Sequence, residues 1–263
     1  MGMGFTIAVA GKGGTGKTTL AGLIVRLLIE RGEGPVLAVD ADPNANLNVA
    51  LGLSVEKTIG ELREDLLNHI RELPPGMTKD TYLEMGIEEC LVESRGVDLL
   101  VMGPGEGPRC YCAVNHVLRR YIGRLRDAYR YVVMDNEAGM EHLSRCTTQD
   151  IDVLLITSSD TPVALQSAVR IHQLVDNLTL RIGKRFLMLN NLNGTDLERL
   201  QAHVAKTGLE LLGIVPRDER VLELSWQGQS LMELLDDAPA LQAVGKMLEV
   251  IVPAIGSPSN MNQ

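Results

Sequence analysis

The segment Gly11-Lys12-Gly13-Gly14-Thr15-Gly16-Lys17-Thr18 constrains the chain more than any other stretch. It fits the spacing G-x-x-x-x-G-K-[ST] in the setting that spacing requires: an apolar run, Thr6–Ala10, leads in, and an amphipathic stretch, Lys17–Arg31, follows. Glycines at 11, 13, 14 and 16 let the backbone curl so that successive N–H groups face one point at a helix N-terminus, which makes an anion nest. A strand, a glycine loop and a helix in that order are one unit of an α/β chain.

The rest of the sequence repeats the alternation. Short apolar runs read as strands at Thr6–Ala10, Val36–Asp40, Asp98–Met102, Tyr131–Asp135, Asp152–Thr157, Phe186–Asn190 and Leu211–Val215. Ile87–Val92 reads as a further strand, paired with Asp98–Met102 through a Ser94-Arg95-Gly96 turn. Helices are expected over Lys17–Arg31, Ile59–Arg71, Ala113–Tyr129, Pro162–Leu178, Asp196–Lys206 and Ala240–Ile251, with Pro162 suited to a first helical turn. The expected fold is α/β: a mostly parallel central sheet of about seven to eight strands with helices on both faces. A length of 263 residues suffices for one large domain over 1–263, with Leu73-Pro74-Pro75-Gly76 as a surface loop and Gly256–Gln263 as a frayed tail. Aromatic residues make up only 3%, so the core must be built from Leu, Ile, Val, Ala and Met, and the eleven Met are spread as core fillers.

A net charge of −9 argues against non-specific nucleic-acid binding, which needs clustered Lys and Arg. No run reaches the roughly 18 apolar residues of a membrane span, and the last helix lacks the basic face of a surface anchor. The start, Met1-Gly2-Met3-Gly4, has no basic leader region. Four cysteines do not make a disulfide framework, so the expected compartment is the reducing cytoplasm.

The glycine loop sets the chemistry. Lys17 would reach the β- and γ-phosphates as a point charge, and the Thr18 hydroxyl would ligate Mg²⁺. Val39-Asp40-Ala41-Asp42-Pro43 and Met134-Asp135-Asn136-Glu137-Ala138-Gly139 each follow a strand, and ligands of such sheets collect at the carboxyl ends of strands. These acids therefore fall beside the loop, although any one Asp there could instead cap a helix. Lys12, directly after the first glycine, cannot easily curl back onto its own phosphates but can point outward, toward solvent or a second molecule.

On these residues the chain resembles the deviant Walker A group of ATPases, which includes MinD, ParA, the arsenite pump ATPase and the nitrogenase iron protein. The resemblance implies ATP and Mg²⁺, with Gly11, Gly13, Gly14, Thr15, Gly16, Lys17, Thr18 and Thr19 around the phosphates. It also implies a face-to-face homodimer in which Lys12 acts on the partner's nucleotide. Lys12, Lys17 and Asp42 would then be catalytic, with Asp42 orienting the attacking water. Asp135 would hold Mg²⁺ with Thr18, and the Gly139 N–H would face the γ-phosphate. Asn190 would contact adenine, with Pro216 and Asp218 of Ile214-Val215-Pro216-Arg217-Asp218 at the base pocket.

The remaining unusual feature is Gly103-Pro104-Gly105-Glu106-Gly107-Pro108-Arg109-Cys110-Tyr111-Cys112. Cys110 and Cys112 in a Gly/Pro loop before a helix can turn toward one soft ion, and the helix N-terminus favours their thiolates. Two thiolates leave a four-coordinate ion half-satisfied, and a two-fold dimer supplies four. The Cys-Tyr-Cys-Ala-Val-Asn stretch resembles the CooC/AcsF type of nickel-maturation ATPase. That resemblance implies Ni²⁺, or Zn²⁺, as cargo and a nickel-enzyme client, carbon monoxide dehydrogenase or acetyl-CoA synthase. An iron–sulfur electron-transfer ATPase and a ParA/MinD-like positioning ATPase are the competing readings. Cys90 is expected in the core and Cys146 in a packed helix, His116 is expected to be solvated, and His142 has no assigned role.

Overall fold

The computed structural model describes residues 4–69, 74, 76–104, 123–125, 127–137, 150–178, 180–194 and 197–252. Eight strands form one sheet in the order β3-β4-β2-β5-β1-β6-β7-β8. They are β1 (Phe5–Gly11), β2 (Val36–Ala41), β3 (Leu91–Glu93), β4 (Val97–Val101), β5 (Tyr131–Asn136), β6 (Asp150–Ser158), β7 (Arg181–Leu192) and β8 (Glu210–Pro216). Every pairing is parallel except β3 with β4, which closes one edge as an antiparallel hairpin. Strands β1, β2 and β5 lie centrally and are almost wholly buried, which is why they read as largely apolar runs rather than alternating ones, with Asp40, Asp135 and Asn136 near their carboxyl ends.

The helices are α1 (Lys17–Arg31), α2 (Leu47–Leu51), α3 (Ile59–His69), α4 (Lys79–Cys90), α5 (Pro162–Asp176), α6 (Leu197–Ala205), α7 (Glu219–Gln227) and α8 (Pro239–Ile251). Alternation along β1 divides them between two faces. Ile7 and Val9 point into a core shared with Leu20, Leu23, Ile24 and Leu28 of α1 and Leu241, Val244 and Leu248 of α8. Ala8 and Ala10 point the other way, into a core shared with α3, α4, α5 and α6 through Leu62, Ile87, Leu165 and Leu200. Each buried Leu or Ile contributes roughly 1.5–3 kcal/mol, so both layers are needed to cover the sheet.

One expected strand is largely a helix. The apolar positions of Ile87–Val92 suggest a strand, but α4 runs through Cys90 and only Leu91–Glu93 pairs with β4. Thr78 caps α4 by accepting a hydrogen bond from the Thr81 N–H at 3.1 Å. Leu83, Gly86, Ile87 and Cys90 then recur at helical spacing on its buried face. The hairpin partner and turn are as expected, whereas the segment before them obeys the longer period. Strand β7 extends well beyond the expected Phe186–Asn190, and α2 and α7 were not expected at all. The expected helix Ala113–Tyr129 lies mostly outside the described residues, of which 123–125 and 127–128 are helical.

Candidate functional site

The glycine loop leaves the carboxyl end of β1 as a tight turn. Thr15 N–H donates to the Lys12 carbonyl at 3.3 Å, and Gly14 takes the positive φ of 79° that such a turn needs at its third residue. Gly16, at φ 81°, then starts α1. Two polar side chains from neighbouring strands reach over glycines to hold Thr15. Thr157, at the end of β6, stands in register with Gly11 and places its hydroxyl 2.6 Å from the Thr15 hydroxyl. A Cβ on Gly11 would lie 2.3 Å from that Thr157 oxygen. Asn190, near the end of β7, donates from Nδ2 to the Thr15 carbonyl at 2.9 Å, and a Cβ on Gly16 would lie 2.2 Å from the same nitrogen. Nothing lies within 4 Å of where Cβ atoms on Gly13 and Gly14 would sit, so the outer rim of the loop is open. Lys12 is exposed on that rim, while Lys17 is 8% exposed.

On the other side of β1 stand the carboxylates. Asp40 and Asp135 are cross-strand partners on β2 and β5, and both are buried. Asp40 closes the end of β2 by accepting from Leu47 N at 2.8 Å and Asp42 N at 3.1 Å. Burial nevertheless raises its pKa. Asp135 Oδ2 accepts from the Thr18 hydroxyl at 2.5 Å, while Oδ1 is buried without a partner. Burial pushes the Asp135 pKa to about 7; the Thr18 hydrogen bond opposes the shift, the Asp40 charge adds to it, and Lys17 opposes it. A hydroxyl beside a carboxylate with one oxygen unsatisfied is a hard-oxygen pair that fits Mg²⁺. Asp42 Oδ1 is held by the Asn44 N–H and side-chain amide, each at 2.9 Å, which fixes its carboxylate at the site's edge.

Between β7, β8 and α7 lies a cavity of about 180 Å³, lined by Gly14, Gly16, Thr19, Asn190, Val215, Pro216 and Val221, among others. It joins the glycine loop to an apolar wall, the shape required by a base attached to a phosphate chain. Asp218 also lines it, but both its oxygens are committed: Oδ1 accepts from Arg220 N and Oδ2 from Ala240 N, each at 3.0 Å. The structure thus brings Gly11–Thr19, Asp42, Asp135, Asn190, Pro216 and Asp218 to one edge of the sheet.

Cys110, Cys112, His116, Gly139, His142 and Cys146 lie outside the described residues. Among the described residues no cluster of three metal-ligating side chains occurs. Cys90 is in the core at the end of α4, and burial pushes its thiol pKa to about 11, which keeps it in the thiol form rather than the reactive thiolate. The segment leading to the cysteines is anchored: Met102 N donates to the Asp40 carbonyl and Gly60 N to the Met102 carbonyl, both at 2.8 Å. Sequence reasoning missed Thr157 and Asn136. Asn136 ends β5, donates from Nδ2 to the Val9 carbonyl at 2.9 Å, and keeps a buried, unpartnered Oδ1. The sequence showed only a polar residue at the end of an apolar run, and the neighbouring position of that run to β1 comes from the fold.

Residues 6–231 match the CobQ/CobB/MinD/ParA nucleotide binding domain (CbiA). The chain is 39% identical over 94% of its length to an uncharacterized ATP-binding protein of Methanocaldococcus jannaschii, covering 98% of that protein. It is 29% identical over 95% of its length to the carbon monoxide dehydrogenase accessory protein CooC of Rhodospirillum rubrum, covering 98% of that protein. Its fold matches the septum site-determining protein MinD of Pyrococcus horikoshii, complexed with Mg-ADP, with a TM-score of 0.68 and 21% identity over 97% of this chain and 98% of that one. No helix among the described residues is long and apolar enough to cross a membrane. The strand, glycine loop and acid-tipped neighbouring strands are those of one group, and the chain belongs to the CobQ/CobB/MinD/ParA nucleotide-binding family as a P-loop ATPase of the MinD/ParA type.

Proposed function

We propose that the chain is an ATP-driven metallochaperone that carries nickel to carbon monoxide dehydrogenase or acetyl-CoA synthase. The supporting observation is a pairing: Cys110-Tyr111-Cys112 stands in a sequence similar end to end to the CooC accessory protein. The whole chain acts as one P-loop domain and works as a homodimer. Lys17 binds the β- and γ-phosphates, Asp42 orients the attacking water, and the Gly139 N–H meets the γ-phosphate. Thr18 and Asp135 would hold Mg²⁺, which would neutralise charge on the phosphate oxygens. Lys12, exposed on the open rim of the loop, acts on the nucleotide of the facing subunit, supplying positive charge where the transition state gathers negative charge. Asn190 and Pro216 border the base. ATP closes the dimer and gathers two Cys110/Cys112 pairs around one ion; hydrolysis separates them.

The likeness to MinD favours a second reading, a positioning ATPase with no metal cargo. Nickel titration of the full chain, with and without a non-hydrolysable ATP analogue, separates the two. The metallochaperone reading expects one nickel per two chains, metal-promoted dimerisation, and loss of both on replacing Cys110 and Cys112 by Ser. Each ligand should strengthen the other's binding, because both favour the closed dimer. One nickel per monomer, or undiminished binding in the double variant, would overturn the shared site.

A further inference from the structure

We infer that Thr157 is a positioning residue for ATP hydrolysis: acting through Thr15 and over Gly11, it fixes the outward turn that carries Lys12. The inference rests on reading Lys12 as a charge that acts on a facing subunit's nucleotide.

Proton direction follows from the partners. The Thr15 hydroxyl has one proton and lies 2.8 Å from the Lys12 carbonyl, which can only accept. Thr15 therefore donates to Lys12, and the contact at 2.6 Å must run from the Thr157 hydroxyl to Thr15. The result is a directed relay, Thr157 to Thr15 to the Lys12 carbonyl, starting from a side chain that is 1% exposed on a central strand of the sheet. The Thr15 N–H closes on the same carbonyl. The backbone of Lys12 is thus tied to rigid β6 before any ligand arrives.

Position matters more for Lys12 than for Lys17. Lys17 sits on the first turn of α1, with its backbone set by the helix. Lys12 has no helix under it, and a charge that must reach another molecule loses rate when its anchor wanders. Gly11 belongs to the device because the Thr157 hydroxyl occupies the space where its side chain would be. Asn190 holds the Thr15 carbonyl independently, so removing the Thr157 hydroxyl loosens the Lys12 turn without releasing the whole loop.

The test measures kcat and ATP affinity separately on the full chain. Thr157→Val should lower kcat about fivefold, the loss expected for one neutral hydrogen bond, while ATP affinity moves less than about twofold. Thr157→Ser, which keeps the hydroxyl, should restore kcat. In a Lys12→Gln background, Thr157→Val should add no further loss, since the relay then has nothing to position. Thr15→Val breaks the same relay without touching β6 and must also lower kcat in the parent chain and add no further kcat loss in the Lys12→Gln background, which keeps the test decisive where Thr157→Val does not fold. Undiminished kcat in both Val variants, or losses that simply multiply with Lys12→Gln, would overturn the relay and leave the Lys12 reading standing. Normal turnover by Lys12→Gln itself would instead overturn that reading, and the relay with it.

Discussion

On the β6–β7 flank of β1, the glycine loop meets a hydroxyl and an amide, Thr157 and Asn190, and each has a partner within 3 Å. On the β5–β2 flank it meets Asp135, Asn136 and Asp40. There Asp135 Oδ1 and Asn136 Oδ1 are buried with no partner, and two carboxylates face each other across adjacent strands. A buried polar atom without a hydrogen bond costs about 1–3 kcal/mol, so a site retains such atoms where a ligand completes them. The neutral flank is finished and serves as the anvil on which the loop is shaped. The acidic flank is unfinished, and its missing charge is positive. The difference separates holding the loop from doing chemistry beside it.

The largest effect should come from breaking the bridge between the flanks. Lys17 is buried at the start of α1, where its charge acts on Asp135, and under the proposed function it is the cation that meets the β- and γ-phosphates. Lys17→Ala should cut ATP turnover by about 100-fold or more, the scale of a lost preorganised donor, and weaken nucleotide binding. A variant turning over ATP within threefold of the parent chain would break the P-loop reading outright.

Next in size is the acidic flank itself. Burial raises the Asp135 pKa from 3.8 to about 7, so the folded state holds this proton more tightly than the unfolded chain does. The stability it contributes is therefore fully present below about pH 4 and is lost as pH rises through about 7. Asp135→Asn removes that dependence. At roughly 1.4 kcal/mol per unit, the unfolding free energy of the Mg²⁺-free parent should fall relative to the variant by on the order of 3–4 kcal/mol between pH 4 and 8. Added Mg²⁺ should flatten the difference by binding the deprotonated carboxylate, and the variant should lose most hydrolysis. Urea unfolding of both proteins across that range is the measurement. A difference that stays level with pH would mean the two flanks are electrostatically alike.

The sheet and the loop were legible because their signals are local. An apolar run, a glycine loop and a helical stripe lie within residues 6 to 31, and the central strands β2 and β5 are apolar up to the acids at their carboxyl ends. What sequence reading lost was lost for identifiable reasons. Ile87 to Val92 sets Ile87, Cys90, Leu91 and Val92 around Glu88 and Glu89, a run short enough to suit either period, and the cap at Thr78 decided for helix. The α7 helix buries none of its residues, so it left no core stripe to read. Thr157 and Asn136 were invisible as site residues because their importance depends on which strand lies beside β1, and strand order is not written along the chain. Asn190 and Asp218 were legible only by resemblance, and each has a hydrogen-bonding duty that the resemblance did not contain.

Asp218 gives the smallest expected effect and sharpens the comparison at the third side of the site, the base cavity. The resemblance makes it a base contact; its hydrogen bonds make it a joint between two helices. One oxygen caps α7, and the other takes the Ala240 N–H in the first turn of α8, so a single carboxylate sets both helices against the cavity they line. Asp218→Asn keeps the shape but exchanges one acceptor for a donor, and should cost about 1 kcal/mol of stability; Asp218→Ala loses both caps and should cost about 2. Val221, Leu222 and Ala240 would shift slightly with the helices, so ATP affinity should weaken by a factor of about two to five through packing alone. The deciding measurement is the ratio of ATP to GTP affinity. A joint between helices shifts both nucleotides together and leaves that ratio unchanged. A base-reading carboxylate changes it, and a shift of tenfold or more in Asp218→Asn would move Asp218 from the scaffold into the recognition surface.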